Sequence, residues 1–358
     1  MHERYLIGVA SLHTSRSSNY IDIPLPPPKF YCRTTELRCY VDALCTKPEP
    51  KAVAICGTGG IGKTALAYKI LHHPDIETRF GTRRFFITCE KMLNVDSLIL
   101  KLVNTLLTEP LDGEVDTTTV ETLASRLGQQ SLLSIVCLDN FETMLDVDEV
   151  KARTVLTALL KCPILALLVT VRAHSPPVPD GRWLQTHVLK GLDTDAASNY
   201  FKDSVNLTEL AKPPNQTDVD KLLKRLDGHP LCLMLIAYQV RLDQDVVDTL
   251  KRYDESVHML NVTTRTTSRL ESLEISLQLS YSSTRMTDQS RLLFRLLSFL
   301  PSGLERRTIP EVLRTSDADD EAQDLIDAAL LTLDRVAGSM YAHMSIFTHF
   351  NLMEYCIS

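Results

Sequence analysis

The sequence lacks any long hydrophobic run. None of its 358 residues belongs to a stretch of eighteen apolar residues, so nothing in it predicts a membrane span. An excess of positive charge is also missing, because 45 Asp and Glu outnumber 38 Lys and Arg and the net charge is −7. We therefore expect neither nucleic acid nor an anionic membrane surface as a partner.

Paired cysteines are missing too. The nine cysteines form no C-x-x-C motif, and most lie inside apolar runs, where a free cysteine behaves as a small hydrophobe. Cys32, Cys39 and Cys45 are clustered, but no histidine follows at zinc-ligand spacing, so we interpret them as incidental thiols. Reduced cysteines and the absence of a convincing signal peptide predict a cytoplasmic protein.

Glycine is scarce, yet four of the thirteen glycines fall in one eight-residue stretch, GTGGIGKT: Gly57, Gly59, Gly60 and Gly62. The stretch follows the apolar run Val53–Cys56 and opens an alanine- and leucine-rich helix, which is the context of the G-x-x-x-x-G-K-[ST] pattern. Glycine backbones reach positive φ and turn N–H groups inward as a nest for phosphate. Lys63 is expected to contact the β- and γ-phosphates, and Thr64 to ligate Mg²⁺.

The second half of such a site is an acidic residue at the end of another strand. LLSIVCLDNFE, residues 132–142, provides Asp139, which we expect to hold Mg²⁺ through water. The next residue is Asn140, with Glu142 two positions further on. An amide can position water but cannot take its proton, so slow hydrolysis and binding without turnover both remain open.

A third strand, LALLVTVR at residues 165–172, ends in Thr170 and Arg172. Strand-end polar groups of a parallel sheet gather at one crevice. Arg172 is therefore a candidate sensor that distinguishes a triphosphate from a diphosphate, with a solvated loop arginine as the alternative.

Apolar runs alternate with helical spacing in the first half of the chain, which predicts a parallel sheet covered on both faces. Beyond Asp193 helical spacing takes over. The expected strands are Val53–Cys56, Arg84–Cys89, Leu132–Leu138, Ile164–Val171 and His187–Leu192. The expected later helices are Val219–Leu226, Leu231–Val240, Leu273–Leu279, Arg291–Leu300, Ile309–Leu313 and Asp324–Leu333, followed by a hairpin within Met340–Phe350.

These patterns predict four segments. They are an N-terminal extension with a proline-rich linker at 1–29, a P-loop nucleotide-binding domain at 30–192, a helical subdomain at 193–262 and a winged-helix domain at 263–358.

Several motifs together resemble the NB-ARC domains of the STAND class of signalling ATPases, particularly the NOD-like receptors of fungi. PPPKFYCRTTEL resembles the family's opening motif, although Cys32 replaces a glycine there, and GTGGIGKT resembles its Walker A motif. RFFITC, LLSIVCLDNFE and LLVTVR are similar to the next strand, the Walker B motif and the sensor-1 strand. GHPLCLMLIA resembles the GLPL motif, and HMSIFT at 343–348 is the nearest match to the MHD motif, with Met344 where a histidine is usual.

The resemblance implies an ASCE-type P-loop NTPase with strand order 5-1-4-3-2, a helical subdomain and a winged helix, holding ADP or ATP with Mg²⁺. It implies catalytic roles for Lys63, Asp139 and Arg172, and metal ligation by Thr64 and by Asp139 through water. The implied nucleotide-binding residues are Arg33 on the adenine side, Gly57, Thr58, Gly59, Gly60, Ile61, Gly62, Lys63, Thr64 and Ala65 around the phosphates, and Pro230 on the base.

The resulting hypothesis is an ADP/ATP switch with slow hydrolysis. Its nucleotide exchange would control self-association and an unknown protein effector in a pathway resembling innate immunity or heterokaryon incompatibility. The chain shows no obvious effector domain or sensor repeats, so it resembles the core of a larger receptor or a truncated product. The alternatives are a nucleotide-binding scaffold without turnover and a DNA-associated ATPase. Residues 272–358 disfavour the latter, because they hold seven Arg and Lys against twelve Asp and Glu.

Overall fold

The structure, a computed structural model, describes residues 23–344 except 29, 47–51, 91, 107–118, 130, 180–182, 208–209, 213, 264–268, 283–285, 299, 301–303, 316–319, 321, 324, 326–330 and 337–338. Its first part is a five-stranded sheet in which every neighbouring pair of strands is parallel. The strands are β1 (Ala52–Cys56), β2 (Arg84–Thr88), β3 (Ser134–Asp139), β4 (Leu165–Val171) and β5 (Trp183–Val188). Their order, β2-β3-β4-β1-β5, confirms the predicted 5-1-4-3-2.

Helices cover both faces of this sheet. One face carries α1 (Thr34–Leu44), α2 (Lys63–Leu71) and α3 (Pro74–Phe80). The other face carries α4 (Val95–Leu106), α5 (Val120–Gly128), α6 (Glu142–Val147) and α7 (Glu149–Lys161). Helical spacing in the sequence predicts helices within Phe30–Cys45 and at Val95–Leu107 and Val150–Leu160, which correspond to α1, α4 and α7, and the helix after the glycine-rich stretch is α2. The short helices α3, α5 and α6 are not predicted.

The three central strands are buried along their whole length, which is why their sequences are continuous apolar runs. Successive residues of β4 face opposite cores: Leu165 and Leu167 pack with α4 and α7, whereas Ala166 and Leu168 pack with α1 and α2. Burial on both faces fixes the register of each central strand. The carboxyl ends of β1, β3 and β4 consequently meet at one edge of the sheet.

The prediction for the last strand was wrong. We expected His187–Leu192, whereas β5 is Trp183–Val188, at the edge of the sheet beside β1. An edge strand pairs on one side only, so it need not be a continuous apolar run, and the apolar pair Val188 and Leu189 marks its end rather than its centre.

Four helices follow the sheet and form their own core around Phe201, Leu222 and Ile236. They are α8 (Thr194–Val205), α9 (Gln216–Leu226), α10 (Pro230–Asp243) and α11 (Val246–Thr263). Asp193, Asn215 and His229 cap the first three, each accepting a hydrogen bond from a backbone N–H of the first turn. Helical spacing in the sequence predicts α9 and α10 but neither α8 nor α11. Within the described ranges, no helix has both the length and the apolar character needed to cross a bilayer.

The sheet and these helices meet at a close backbone contact. The N–H of Leu192 donates to the carbonyl oxygen of Gly228 at 2.8 Å. A Cβ atom on Gly228 would lie 2.1 Å from the carbonyl oxygen of Leu192, and one on Gly191 would lie 2.3 Å from that of Asp227. Glycine at both positions therefore allows the turn before α10 to approach the end of the sheet.

The C-terminal region begins with α12 (Arg269–Tyr281), α13 (Asp288–Ser298) and α14 (Ile309–Leu313), the last with the predicted bounds. The same region forms a three-stranded antiparallel sheet, in which β6 (Leu304–Glu305), which precedes α14, and β7 (Leu331–Val336) lie on either side of β8 (Ser339–Met344). The predicted helix Asp324–Leu333 is wrong at its end, because β7 begins at Leu331 and pairs with β8 instead. The predicted hairpin is correspondingly displaced, and residues 345–358, which include most of the HMSIFT segment, lie outside the described residues.

Candidate functional site

The glycine-rich loop connects the end of β1 to the start of α2. Gly57, Gly60 and Gly62 have φ values of 146°, 69° and 97°, which side chains with a Cβ rarely adopt. Gly62 precedes the first residue of α2, and a Cβ placed on it would meet nothing within 4 Å. The beginning of α2 therefore has space for an anion beside its backbone N–H groups, where the helix dipole favours negative charge.

Lys63 is the first residue of α2, directly after this loop, and is only 5% exposed. Its Nζ donates to the carbonyl oxygens of Gly57 and Thr58, both at 2.9 Å. Burial lowers the pKa of Lys63 to about 8, since the charged form loses its hydration. A phosphate beside Nζ would offset that loss, so the site is suited to an anionic ligand.

Asp139, at the end of β3, accepts hydrogen bonds from two threonine hydroxyls. Thr64 Oγ1 lies 3.0 Å from its Oδ1 and 3.1 Å from its Oδ2, and Thr170 Oγ1 lies 2.6 Å from Oδ1. Burial raises the pKa of Asp139 to about 6, although both hydroxyls lower it in part. The predicted metal residues Thr64 and Asp139 are thus brought together, and Thr170 supports the carboxylate from β4.

Arg172 follows β4 and pairs with Glu142 at the start of α6. The Nε atom of Arg172 lies 3.0 Å from Glu142 Oε1, and its backbone N–H donates to Glu142 Oε2 at 3.2 Å. The guanidinium also lies beside the phosphate loop, because a Cβ on Gly59 would be 3.6 Å from its Cζ. Arg172 is therefore close to the loop, as predicted, but a carboxylate partner holds it there.

Asn140, directly after Asp139, makes two hydrogen bonds across the end of the sheet. Its Nδ2 donates to Glu90 Oε2 at 3.0 Å, and its backbone N–H donates to Thr170 Oγ1 at 3.0 Å. Burial raises the pKa of Glu90 to about 7. Sequence reasoning missed Glu90, although its position two residues beyond β2 marked it as a polar strand-end residue.

The start of α10 contacts the glycine-rich loop directly. His229 Nε2 lies 2.9 Å from the carbonyl oxygen of Gly59. A Cβ on Gly60 would lie 2.6 Å from Leu231 Cδ2 and 3.0 Å from His229 Cε1. Pro230 occupies the first position of α10, next to both contacts. His229 was not among the predicted site residues, although the GHPL motif that contains it was recognised.

Arg33, just before α1, joins the loop to the end of β5. Its Nη2 donates to the carbonyl oxygens of Ile61 at 2.8 Å and Lys190 at 3.1 Å. Arg33 is 7% exposed, has a positive φ of 65°, and burial lowers its pKa. The remaining predicted residues lie in the loop or the first turn of α2: Ile61 is buried, and Thr58 and Ala65 are half-buried.

The donor set fits a nucleotide with Mg²⁺. A hydroxyl and a carboxylate within 3.1 Å of each other are oxygen ligands of the kind that Mg²⁺ takes, directly or through water. Beside them lie an open helix start at Gly62 and the buried ammonium of Lys63. Together with the strand order, this site defines a P-loop NTPase of the ASCE type.

Comparison with protein families identifies the type more closely. The NB-ARC domain model matches residues 33–206, just under half of the chain. The matched segment runs from Arg33 past the end of α8 and contains the glycine-rich loop, Asp139 and Arg172. Over this segment the chain is similar to the NB-ARC domains of P-loop NTPases, as the sequence motifs predicted.

Individual relatives are more distant. Over 297 residues the chain is 26% identical to a Mycobacterium bovis protein named as a putative HTH-type transcriptional regulator. The match covers 80% of this chain and 32% of that protein, and a Mycobacterium tuberculosis protein of the same description matches equally. A STAND protein with a tetratricopeptide repeat sensor from Pyrococcus horikoshii shares the fold at 18% identity and a TM-score of 0.53, covering 90% of this chain and 42% of that one. The chain spans about a third of the length of the curated relatives.

Proposed function

We propose that the protein is an ADP/ATP-dependent molecular switch. The observation that carries this proposal is the hydrogen bond from His229 at the start of α10 to the carbonyl oxygen of Gly59. It ties the helical subdomain to the loop that would hold the phosphates. A ligand that shifts that loop would act on the contact between sheet and helices, which is what a nucleotide switch requires.

In this proposal the backbone of Gly57 to Thr64 binds the phosphates, and Lys63 neutralises their charge. Thr64 and Asp139 hold Mg²⁺, which when bound supplies charge stabilisation at the β- and γ-phosphates. When ATP binds, Arg172 leaves Glu142 and pairs with the γ-phosphate, so ATP and ADP favour different arrangements of the domains. Arg33 and Pro230 border the base.

The proposed output is a change of assembly. ADP would hold a closed form, and exchange for ATP would permit self-association and recruitment of a protein effector in a cytoplasmic signalling pathway related to innate immunity or heterokaryon incompatibility. Residues 263–358, whose described part combines helices with a small antiparallel sheet, would act as a winged-helix domain in the closed form. Slow hydrolysis would return the switch to its resting state.

The first test identifies the bound nucleotide. The purified chain is denatured and the released nucleotide is separated by chromatography, with Lys63→Ala processed in parallel. We expect near-stoichiometric ADP from the wild type and little from the variant, because alanine cannot make the contact of Lys63 with the phosphates. A wild-type protein that is empty and also binds neither Mg·ATP nor ADP would contradict the proposal.

Two other functions have specific support. Asn140, directly after Asp139, favours a nucleotide-binding scaffold without turnover, because an amide cannot take the proton of water. Measurement of phosphate release separates that scaffold from the switch. The mycobacterial relatives named as transcriptional regulators favour a DNA-associated ATPase, although this chain matches only a third of their length. Fluorescence anisotropy with a labelled duplex tests that function. The acidic excess in residues 272–358 predicts no binding at physiological salt.

A further inference from the structure

The position of Glu90 is set by the register of the sheet. Thr88, the last residue of β2, pairs with Asp139, the last residue of β3. The backbone N–H of Cys89 then donates to the carbonyl oxygen of Asp139 at 2.8 Å, which continues the pairing past the strand ends. Glu90 is the next residue and is 8% exposed. A buried carboxylate thus stands at the edge of the sheet where the metal residues and the phosphate loop meet.

Asn140 connects this carboxylate to the site. Its backbone is left-handed, with a φ of 54°, a conformation that asparagine tolerates better than most residues. The N–H of Asn140 is held by Thr170 Oγ1, and its side-chain amide points to Glu90 Oε2. Asn140 has no basic lone pair for a proton. In this geometry its amide donates to the carboxylate of Glu90, which can accept a proton.

The other carboxylates at this edge have different partners. Asp139 accepts from Thr64 and Thr170, and Glu142 pairs with Arg172 through both oxygens. Arg172 lies close enough to act on the charge of Glu90, and so do Asp139 and Glu142. Glu90 therefore belongs to the same electrostatic cluster. Among the described residues, it is the carboxylate that the Asn140 side chain orients.

We propose that Glu90 is the general base of ATP hydrolysis in this protein, and that Asn140 is the positioning residue that orients its carboxylate. The inference rests on the proposed nucleotide switch. A water molecule attacks the γ-phosphorus, and its oxygen forms the new P–O bond. The bond between the γ-phosphorus and the β,γ-bridging oxygen breaks, ADP leaves with that electron pair, and the proton of the water passes to Glu90 and then to solvent.

The proton affinity of Glu90 supports this role. Burial raises its pKa to about 7, whereas Arg172 and the amide of Asn140 lower it and the charges of Asp139 and Glu142 raise it. A base whose pKa lies near the working pH accepts a proton readily and also releases it again. In this proposal the base comes from the strand beside β3, because the residue directly after Asp139 is an amide.

Glu90→Gln tests the proposal with little structural change, because the glutamine oxygen can still accept from Asn140 Nδ2. We expect single-turnover hydrolysis of Mg·ATP to fall about 100-fold or more, the range typical of a lost general base. The Kd values for ATP and ADP should stay within about threefold, since the loop residues are untouched. Chromatography of the loaded protein should accordingly show retained ATP in the variant and ADP in the wild type.

The double variant Glu90→Gln/Asn140→Asp separates a catalytic from a structural role. It exchanges carboxylate and amide within the pair, so the new glutamine amide can donate to the new aspartate carboxylate. We expect hydrolysis to recover about tenfold or more over Glu90→Gln, because a proton acceptor is restored at the same edge of the sheet. Glu77→Gln, on α3 and paired with Arg84, serves as the control that leaves hydrolysis unchanged.

Three outcomes are distinguishable. Wild-type hydrolysis by Glu90→Gln overturns the general-base assignment and leaves the switch intact. A wild type that binds ATP but never hydrolyses it also overturns the assignment and supports the scaffold. A wild type that binds neither nucleotide overturns the proposed function together with this inference.

Discussion

His229 Nε2 lies 2.9 Å from the carbonyl oxygen of Gly59, which places the first residue before α10 in contact with the turn that precedes α2. The two residues are 170 positions apart in sequence. His229 also caps α10, because its Nδ1 accepts from the backbone N–H of Cys232 at 3.5 Å. One imidazole therefore fixes the start of α10 and fastens it to the phosphate loop.

His229→Asn should release the loop while retaining the cap. Asparagine is a good N-cap residue, but its side chain is too short to reach Gly59 as well. A hydrogen bond contributes about 1 kcal/mol net, so we expect bound ADP to dissociate about fivefold faster. The measurement is the displacement of a fluorescent ADP analogue by excess unlabelled ADP.

His72→Ala is the matched control for that experiment. His72 Nε2 also lies near a backbone carbonyl, that of Pro24 at 3.2 Å, but beyond the far end of α2. We expect its ADP dissociation rate to equal that of the wild type. Equal rates for His229→Asn and the wild type would show that α10 is not held on the loop in solution.

Glu142→Gln should change the preference between ATP and ADP. The carboxylate of Glu142 holds Arg172 at 3.0 Å, and ATP must displace it before the guanidinium can reach the γ-phosphate. Without that charge, the affinity for ATP should rise by about five- to tenfold, or about 1–1.4 kcal/mol, whereas ADP affinity should change little. Isothermal titration with each nucleotide in Mg²⁺ measures both values.

Glu149→Gln provides the comparison, because Glu149 also pairs with an arginine, Arg153, at 2.8 Å. That pair lies on the exposed surface of α7, where ion pairs contribute little. We expect both nucleotide affinities to be unaffected there. Parallel increases in ATP and ADP affinity for Glu142→Gln would indicate that Arg172 does not distinguish the γ-phosphate.

The part of this fold that could be predicted is the part determined by local pattern. Strands β1, β3 and β4 are buried on both sides because they are central in the sheet. Their sequences are therefore continuous apolar runs, which can be recognised without a structure. Edge strand β5 has no such run, and its bounds were misplaced. The predicted helix over Asp324–Leu333 is wrong at its end, because the pairing of Leu331–Leu333 with β8 outweighs the helical preference of leucine there.

The same distinction applies to the site. Lys63 and Thr64 were predictable because the chemistry of a phosphate loop requires fixed spacing along the chain. Glu90 reaches Asn140 across fifty residues, through the register of β2 and β3, and His229 reaches Gly59 through the packing of a separate group of helices. Neither relation leaves a spacing in the sequence, so only the three-dimensional arrangement reveals it.

Two glycine substitutions should have opposite effects on stability. Gly228 has a φ of 64°, and a Cβ there would lie 2.1 Å from the carbonyl oxygen of Leu192. Gly228→Ala must move the backbone that joins the sheet to α10, and we expect it to destabilise the fold by about 3 kcal/mol or more. Gly128 ends α5 with nothing within 4 Å of its Cβ position. Gly128→Ala should therefore be neutral or stabilise by up to about 1 kcal/mol.

Thermal denaturation of both variants, without nucleotide, measures the difference. The expected result is a melting temperature several degrees lower for Gly228→Ala and one equal or slightly higher for Gly128→Ala. If Gly228→Ala has the same melting temperature as the wild type, the turn before α10 does not approach Leu192 as closely as the structure indicates.

Glu90→Gln should make the protein more stable at high pH. Burial raises the pKa of Glu90 from 4.5 to about 7, so the folded protein holds a proton that the unfolded chain releases between those values. The stability contributed by that proton is fully present below pH 4.5 and is lost as the pH rises through about 7. At about pH 8 the ionisation of Glu90 lowers the free energy of unfolding of the wild type by up to about 3 kcal/mol. Glutamine cannot ionise, so the variant does not lose this stability.

The measurement is thermal denaturation of wild type and Glu90→Gln from about pH 5 to about pH 8, in EDTA and without nucleotide. The gap in melting temperature should be largest at the high end of this range and should shrink toward the low end, where most of the wild-type carboxyl is protonated in the folded state. A gap that stays constant across this range would mean that Glu90 ionises as an ordinary carboxylate. A pH-dependent gap, combined with lost hydrolysis, would show that the protein retains a destabilising buried acid because ATP turnover requires its proton affinity.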